Sequence, residues 1–329
     1  MNHTLHKFCE IHDSEFIPWL NSTWNLNIEG VRREENIQGS PDRTLARAVF
    51  ANDADKLFLV EKFGESRAWH RRQIALATCI LRQNGLLQAL GPLKSINGQF
   101  LVSYADALFQ VTPFVSGTEL VRPEYLESAD MGRSLAEFVS QLCSLSFHVE
   151  KQTEFSFFSV RDYIYEIFKD MKVYDPDEHE KFFEFRKFLG NHFMQIHDTL
   201  PICICHGDLH PLNVIWDKLR IKAVIDWEFT GMKPRIYDAA NLVGCAGIEN
   251  PEGLLMPMVT SFLDFLVNRG VFSELEWKFF PEFVLALRFA WLGEWLRKKD
   301  VQMLEMEYVY MGLLVDNMDL LRSKWKILK

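Results

Sequence analysis

Residues 202–229 read ICICHGDLHPLNVIWDKLRIKAVIDWEF. Two apolar runs in this stretch, Val-Ile-Trp and Ala-Val-Ile, flank a polar turn and therefore predict a short β-hairpin. Asn213 stands directly before the first run and Asp226 directly after the second, so pairing of the runs carries both residues to the same end of the hairpin. Asp208 lies in the loop just before Asn213. The pattern predicts that three oxygen-bearing side chains converge on one polar spot in an apolar setting.

These three side chains have the chemistry that a phosphoryl-transfer site requires. Carboxylate and amide oxygens suit a hard dication such as Mg²⁺, which keeps waters and substrate phosphates among its ligands. Phosphoryl transfer combines a base aspartate with an asparagine and a second aspartate on the metal. Aspartate and asparagine are also common in turns and helix caps, but three of them in this order favour the chemical interpretation.

The longer pattern resembles a known family. His-Gly-Asp-Leu-His-Pro-Leu-Asn at residues 206–213 precedes the hairpin, which ends in Ile-Asp-Trp-Glu, and Tyr-Asp-Ala-Ala follows at residues 237–240. This order of motifs is similar to that of the aminoglycoside phosphotransferase and choline kinase superfamily. The resemblance implies an α+β, two-lobed protein-kinase-like fold, with a small antiparallel-sheet N-lobe and a larger, mostly helical C-lobe. It also implies ATP and Mg²⁺ as cofactors and a small-molecule hydroxyl compound as the phosphoryl acceptor.

The same resemblance implies a role for each polar residue around the loop. Asp208 would be the catalytic base that accepts or aligns the proton of the acceptor hydroxyl. Asn213 and Asp226 would bind the Mg²⁺ that bridges the ATP phosphates. His206 would support the catalytic loop, and Asp238 would hold that loop from the start of a helix.

His210 stands where many members of the superfamily also carry a histidine. Two interpretations stay open for it: a structural loop histidine, or a catalytic residue near the phosphates or the acceptor. A metal-dependent hydrolase that uses Asp208, Asp226 and His210 is a third, weaker function for the chain. It would need metal-ligating histidines at paired spacing, and the sequence offers only His206 and His210 around the loop.

The first third of the chain has the pattern of a small sheet with one helix. Apolar runs joined by turn residues predict two strand pairs, and a helix that stops at an Asn-Gly pair lies between them. The predicted strands cover residues 45–50, 56–63, 100–103 and 107–112, and the predicted helix covers residues 66–83.

The resemblance implies that this lobe binds the nucleotide. Lys62 is in phase with Val60 and Phe58 on one strand face, and it is the candidate for the family's strand lysine that pairs with the ATP phosphates. The alternative is a solvated edge-strand lysine. Gln73 stands where the first helix of a kinase carries a glutamate. Its amide can hydrogen-bond to Lys62 but cannot form an ion pair with it.

The loop that covers the phosphates is placed at residues 38–43, ahead of the first predicted strand. It contains Gly39 and Ser40, which are assigned to the nucleotide site. One glycine makes a poorer phosphate cradle than a glycine-rich loop, and a surface turn would have the same sequence.

The segment Pro113-Phe114-Val115-Ser116-Gly117 matches the position of the family's hinge. A hinge binds adenine through one backbone carbonyl and, two residues on, one backbone N–H. Proline keeps its carbonyl and lacks only the donor, so Pro113 and Val115 are the candidate pair, and a simple interdomain turn is the alternative. This hinge at 113–117 separates an N-terminal lobe, residues 1–112, from a C-terminal lobe, residues 118–329.

From residue 125 onward, apolar residues recur at spacings of three and four, which predicts long amphipathic helices. They cover residues 125–145, 160–171, 178–199, 253–268, 273–298 and 303–328. The resemblance implies that the C-terminal helices and the segment after Asp226 build the acceptor pocket. The candidate substrate residues are Glu228, Arg288, Trp291 and Glu294. Helix packing is the alternative for each of them.

Aromatic and acidic residues together suit an amine, through cation–π and charge contacts. The formal net charge of -9 is compatible with such a cationic acceptor. Nothing in the sequence selects among aminoglycoside, amino alcohol, homoserine and sugar acceptors.

Composition limits the partners. The 329 residues include 36 basic and 45 acidic side chains, whereas a general nucleic-acid binder needs a net basic surface. No apolar run approaches the roughly 20 residues that cross a bilayer, and the polar N-terminal stretch lacks the apolar core of a signal peptide. We therefore expect no nucleic-acid partner, no membrane partner and a cytoplasmic location.

The expected function is ATP- and Mg²⁺-dependent transfer of the γ-phosphoryl group to a hydroxyl of a small molecule. The second hypothesis is a catalytically degenerate nucleotide-binding pseudokinase or scaffold that has kept the fold. Gln73 and the single-glycine loop favour this second hypothesis, and the intact Asp208, Asn213 and Asp226 oppose it.

Overall fold

The computed structural model describes residues 13–32 and 44–326, apart from the side chains of Asp13, Ser14 and Asp198. The described residues up to Gly117, with Lys151–Glu154 and Ala223–Ile225, form one compact unit. The second consists of Thr118–Glu150, Phe155–Lys222 and the described residues from Asp226 onward.

The first unit is built on a five-stranded antiparallel sheet in the order β1-β2-β3-β5-β4. Its strands are β1 Ile28–Arg32, β2 Ala46–Asn52, β3 Leu57–Phe63, β4 Val102–Tyr104 and β5 Ala107–Pro113. Asn52 closes the turn between β2 and β3, because its Oδ1 accepts the backbone N–H groups of Ala54 at 3.1 Å and Lys56 at 2.9 Å. The predicted strand pairs are thus present, and β1 is an addition to them.

One helix packs on each face of this sheet. α1 (Asp13–Trp24) covers one face with Phe16, Leu20 and Trp24, which join an apolar cluster from β2, β3 and β5. α2 (Ala68–Gln83) begins on the other face, where Ala68 contacts Phe63. It ends just before Asn84-Gly85, at the predicted stop, and Gly85 has a φ of +103°.

The second unit is mostly helical. Its helices are α3 Ala129–Glu150, α4 Val160–Tyr174, α5 Pro176–Ile196, α6 Tyr237–Glu249, α7 Pro257–Asn268, α8 Glu274–Lys278, α9 Phe280–Lys298, α10 Val301–Asp316 and α11 Met318–Trp325. α3 and α7 approach closely, because a Cβ added at Gly132 would lie 2.1 Å from the backbone oxygen of Met258. Within the described residues, no helix is long and apolar enough to span a membrane.

Two small sheets interrupt these helices. β6 (Ile202–Cys205) pairs antiparallel with β9 (Gly231–Pro234), and β7 (Val214–Asp217) pairs with β8 (Arg220–Val224). The predicted hairpin is therefore present, with Lys218 in its turn at a φ of +56°.

Some predicted helix boundaries are wrong. The predicted helix over residues 273–298 is two helices, α8 and α9, which meet at Phe279. Pro281 lies in the first turn of α9, where its missing N–H would have had no partner within the helix. The predicted helix over residues 303–328 likewise divides at Asn317. The predicted division into a small antiparallel sheet and a mostly helical remainder is confirmed.

Candidate active site

A buried carboxylate holds the loop that follows β6. Asp238, in the first turn of α6, accepts the backbone N–H of His206 at 2.7 Å and that of Gly207 at 2.8 Å. Burial raises the pKa of the Asp238 carboxyl, while His206 and these two hydrogen bonds act in the opposite direction. Asp238 thus fixes the backbone of the loop from a helix start.

Only glycine fits at position 207. Gly207 has a φ of +87°, in the left-handed region, and a Cβ there would lie 2.1 Å from the backbone oxygen of Phe229. The same Cβ would lie 2.8 Å from Cε of Lys233. The loop is therefore packed tightly against the segment that follows Asp226.

His206 is fully buried in this packing. Its Nδ1 accepts the backbone N–H of Asp208 at 3.2 Å, and its ring centroid lies 4.7 Å from that of Trp227. The Thr230 hydroxyl donates to the backbone oxygen of His206 at 3.4 Å. His206 therefore links the loop at residues 206–213, called the catalytic loop from its resemblance, to Trp227 and Thr230.

Asp208, His210 and Asn213 come together at the surface of the loop. The Asn213 amide nitrogen donates to the backbone oxygen of Asp208 at 2.9 Å and to its Oδ2 at 3.2 Å. Nε2 of His210 lies 3.7 Å from the same Oδ2, and the side chains of Asp208 and His210 are each 15% exposed. A carboxylate held in this way has a fixed orientation and still meets solvent.

Asp226 is exposed and adopts a left-handed backbone conformation, with a φ of 60° and a ψ of 54°. It directly precedes Trp227, whose ring contacts His206. Asp226 is therefore the direct sequence neighbour of Trp227, which packs against the loop.

The side chains of Asn213 and Asp226 have the chemistry that suits a magnesium ion. With the Asn213 amide nitrogen donating to Asp208, the other polar atom of that side chain is the hard oxygen Oδ1, and Asp226 offers an exposed carboxylate. In the described parts of the chain, no three His, Cys, Asp or Glu side chains form a metal-binding cluster. A cation here would rely on water and phosphate oxygens for its remaining ligands, as Mg²⁺ does.

Lys233 packs against the loop at Gly207, a contact that the sequence did not reveal. It is buried on β9, with Nζ 4.4 Å from the ring centroid of Phe158 and 5.0 Å from that of Tyr237. Burial lowers the pKa of Lys233, while the charges of Cys205 and Asp238 oppose this shift. In the sequence it is one lysine in a short strand, and no spacing marks it.

In the first unit, Lys62 lies on the face of the sheet that α1 covers. It follows Phe58 and Val60 at the predicted period of two, and its cross-strand neighbours are Ala46 and Phe109. These four neighbours belong to the α1 cluster, and Lys62 itself is partly buried. Its role at the phosphates stays a prediction.

The opposite face carries a buried ion pair. Glu61 is buried, and its Oε1 lies 2.9 Å from a guanidinium nitrogen of Arg47 on β2. Gln110, also buried, faces Glu61 from β5. Phe63 lies on this same face and contacts Ala68 at the start of α2. Sequence reasoning missed Arg47, although its position across the hairpin from Glu61 was a usable signal.

Gln73 is engaged away from the strand lysine. Its Oε1 accepts the backbone N–H of Glu154 at 2.9 Å. The structure thus gives the Gln73 amide a backbone partner in place of the expected contact with Lys62.

The other nucleotide-site assignments stay predictions. Pro113 is the last residue of β5, and both Pro113 and Val115 are partly buried. Gly39 and Ser40 lie outside the described residues.

The second unit contains a cavity of about 150 Å³ next to the catalytic loop. His210 contributes to its wall, as do Arg288 and Trp291 from the predicted substrate set. Burial opposes the charge of Arg288, but a two-point contact with Glu307, at 2.6 and 2.8 Å, leaves its pKa above the ordinary value. Trp291 stacks on Trp295, with centroids 5.7 Å apart.

The other two predicted substrate residues have different surroundings. Hydrogen bonds from Arg297 and Lys298 lower the pKa of Glu294 to about 2, against the effect of burial. Glu228 is buried in a 3₁₀ turn that follows Asp226. In the described part of the chain, neither of these two residues lines the cavity.

Comparison with known proteins gives a consistent picture. The solved structures that this chain resembles include an amicoumacin kinase in complex with AMP-PNP, Ca²⁺ and its ligand (TM-score 0.67, 12% identity, 96% of each chain covered). They also include an aminoglycoside phosphotransferase from Alicyclobacillus acidocaldarius (0.63, 14%, 93% of this chain and 95% of that one). A third is a spectinomycin phosphotransferase in complex with ADP and spectinomycin (0.60, 14%, 96% and 98%).

No curated protein sequence matches significantly. The family model described as "Phosphotransferase enzyme family" matches residues 42–265, which include the strand pairs of the first unit, the catalytic loop and Asp238. The resemblance noted in the sequence is confirmed. The chain therefore belongs to the phosphotransferase enzyme family and has its kinase-like fold.

Proposed function

We propose that this protein transfers the γ-phosphoryl group of ATP, with Mg²⁺, to a hydroxyl group of a small molecule. The observation that carries the proposal is the arrangement of Asp208: its carboxylate is held by Asn213, faces His210 and meets solvent, on a loop fixed by Asp238. Family membership and neighbours solved with AMP-PNP and Ca²⁺ or with ADP support it.

In this reaction Asp208 accepts a hydrogen bond from the acceptor hydroxyl and takes its proton as the oxygen attacks the γ-phosphorus. The bond from that phosphorus to the β–γ bridging oxygen breaks, and ADP leaves. The amide of Asn213 fixes the orientation of that carboxylate, so little reorganisation is needed when the acceptor arrives. Asn213 Oδ1 and Asp226 would hold the Mg²⁺, which supplies charge neutralisation at the phosphates.

Two cations of the first unit are candidates for the phosphates. Lys62 is the family's strand lysine by resemblance, and Arg47 lies on the opposite face of the sheet in its ion pair with Glu61. Arg47 is the stronger candidate, because an apolar cluster under α1 fills the face that carries Lys62.

The first test is the variant Asp208→Asn. We expect kcat to fall by about 10²–10⁴-fold, because the amide cannot take the proton. Affinity for ATP, measured by calorimetry, should stay close to that of the wild type. The acceptor for the assay comes from a coupled ADP-release screen of amino alcohols, sugars, amino acids, aminoglycosides and aryl alcohols.

Asp217→Asn is the matched control, because Asp217 is an exposed aspartate at the end of β7. It should leave kcat and the affinity for ATP unchanged. Normal turnover in Asp208→Asn would remove Asp208 from the proposed role.

A degenerate nucleotide-binding protein is the second candidate function. The engagement of Gln73 with the backbone of Glu154 favours it, because this contact replaces the lysine partner of an active kinase. ATP binding without ADP release for any compound in the screen would support this candidate over the first.

A further inference from the structure

The cavity beside the catalytic loop has a size that suits one ring. Its volume is about 150 Å³, and a cavity of about that volume accepts a molecule the size of benzene. His210, which lies 3.7 Å from the Asp208 carboxylate, forms part of its wall. A group seated in the cavity is therefore close to the proposed base.

The charged residues in the cavity wall are already compensated. Arg122 holds Glu249 at two points, 2.8 and 2.5 Å, and this hydrogen bonding raises the pKa of Arg122. Arg288 holds the buried Glu307 in the same way. Among the described residues that line the cavity, Glu249 is the one with a carboxylate. The Asp208 carboxylate next to His210 can pair with one ammonium group at that side of the cavity. Further ammonium groups of an acceptor would lack anionic partners, and burying an unpaired charge is costly.

The two stacked indoles of the wall already have cations beside them. The Arg288 guanidinium lies 5.9 Å from the Trp291 ring centroid, and Lys298 Nζ lies 5.5 Å from that of Trp295. A substrate ammonium over either ring would meet a like charge. The cation–π contact expected from the sequence for an amine acceptor is therefore made by the protein's own side chains.

The rest of the wall is apolar and adaptable. Met303 and Met306 from α10 line it together with Ile248 from α6 and Leu212 from the catalytic loop. Thioether side chains fill irregular space and make favourable contacts with aromatic rings. Indoles bind flat rings by stacking or by edge contacts.

We propose that the acceptor is an electrically neutral hydroxyl compound with a flat apolar ring, and that the ring binds in this cavity against Trp291. The ring fills the space between the indoles and the methionines and leaves the hydroxyl on the side of His210 and Asp208. This substrate class rests on the proposed phosphotransferase function, but the binding of the ring does not require ATP.

Two probes that differ in charge test the proposal: 2-phenylethanol and 4-(2-hydroxyethyl)benzylamine, which keeps the hydroxyl and carries an ammonium group at pH 7 on the opposite side of the ring. Their binding to the protein without nucleotide is followed by ligand-observed NMR titration. We expect 2-phenylethanol to bind at least about tenfold more tightly than the ammonium ion, because away from Asp208 the lining carboxylate, Glu249, is already paired with Arg122. Equal or tighter binding of the ammonium ion, or no detectable binding of 2-phenylethanol, would overturn the proposal.

Substitutions at Trp291 locate the ring, and a substitution at Arg122 tests the charge effect. Trp291→Ala should weaken 2-phenylethanol binding by about three- to tenfold, and Trp291→Phe should retain most of it, because a ring contact is kept. Trp69→Ala removes a half-exposed indole of the first unit and should have no effect. Unchanged binding in Trp291→Ala would place the ring elsewhere and refute the proposal.

Arg122→Gln leaves Glu249 as a single uncompensated carboxylate. It should raise the affinity for 4-(2-hydroxyethyl)benzylamine by about tenfold while that for 2-phenylethanol stays the same. No gain would contradict the charge argument. Because these measurements need no turnover, they are independent of ADP release: turnover with polyamines alone would support the proposed function and refute this inference.

Discussion

At the scale of single residues, the buried histidine that precedes β6 makes stability depend on pH. His197 is almost fully buried, its Nε2 accepts the backbone N–H of Val160 at 3.2 Å, and its ring stacks on Phe283. Burial lowers the pKa of His197 to about 4, and the charge of Arg161 acts in the same direction. The hydrogen bond to Val160 requires the neutral imidazole, because a protonated ring has no acceptor.

We therefore expect the free energy of unfolding to decrease as the pH falls below the ordinary histidine pKa. His197 binds a proton near pH 6.5 in the unfolded chain but only near pH 4 in the folded chain. The stability that the neutral His197 contributes is therefore complete above pH 6.5 and is lost progressively between pH 6.5 and about 4. Between pH 7.5 and 5, the loss from His197 should be about 2 kcal/mol. Urea unfolding at the two pH values measures it.

His197→Gln is the matched control for this prediction. The Gln side chain keeps an oxygen that can accept from Val160, but it does not titrate. The difference between the two pH values should be smaller in the variant by about the contribution of His197. The same pH dependence in both proteins would contradict the assignment.

The sequence predicts part of the site at this scale. Asp208, Asn213 and Asp226 could be found because their order and spacing form a motif. Lys233 could not be assigned in the same way, since its position depends on the pairing of distant strands and on burial. For Lys62, the alternation along β3 was predicted correctly, but the sequence does not say which face of the sheet α1 covers.

At the scale of secondary-structure elements, the close approach of α3 and α7 depends on a missing side chain. A Cβ at Gly132 would lie 2.1 Å from the backbone oxygen of Met258. Because backbone atoms cannot move aside as a flexible side chain does, Gly132→Ala must push the helices apart. We expect it to lower the free energy of unfolding by about 1–3 kcal/mol in chemical denaturation.

Gly312→Ala is the matched control in another helix. A Cβ at Gly312, in α10, meets nothing within 4 Å. Alanine is the better helix former there, so this variant should raise the free energy of unfolding by about 0.5–1 kcal/mol. A destabilised Gly312→Ala, or an unaffected Gly132→Ala, would contradict the packing argument.

Periodicity predicted the existence and type of most elements but not their ends. The helix predicted at residues 125–145 is a 3₁₀ turn followed by α3, which continues to Glu150. Apolar spacing continues through a break such as Phe279 or Asn317, because both flanking helices bury residues in the same core. The sheet partners β6 and β9 are about 30 residues apart in sequence, and short-range patterns do not encode such pairing.

At the scale of the whole molecule, nucleotide binding should stabilise the folded chain. A ligand at 100 times its Kd adds about 2.7 kcal/mol, which raises the Tm by several degrees for a protein of this size. We expect this shift with ATP and Mg²⁺ in a thermal shift assay. Asp226→Ala should lose the magnesium-dependent part, whereas Asp217→Ala should keep it; an unchanged shift in Asp226→Ala would refute the metal assignment.

The same assay distinguishes the two candidate cations of the first unit. Arg47→Gln and Lys62→Gln each remove one positive charge and keep a polar side chain. We expect the larger loss of the ATP-induced shift in Arg47→Gln, because the face of the sheet that bears Arg47 lies outside the α1 cluster. A larger loss in Lys62→Gln would assign the phosphate contact to Lys62.

If the cavity binds the acceptor as we propose, the ion pair of Arg288 with Glu307 offers a route by which acceptor preference can diverge. Glu307 also accepts from Nε1 of Trp295 at 3.3 Å, so a single carboxylate positions two parts of the cavity wall. Exchange of a buried ion pair for apolar residues of similar volume is often neutral for stability. Paired replacements at 288 and 307 can therefore reshape the cavity while the catalytic loop stays intact, which makes this pair a natural starting point for engineering new acceptors.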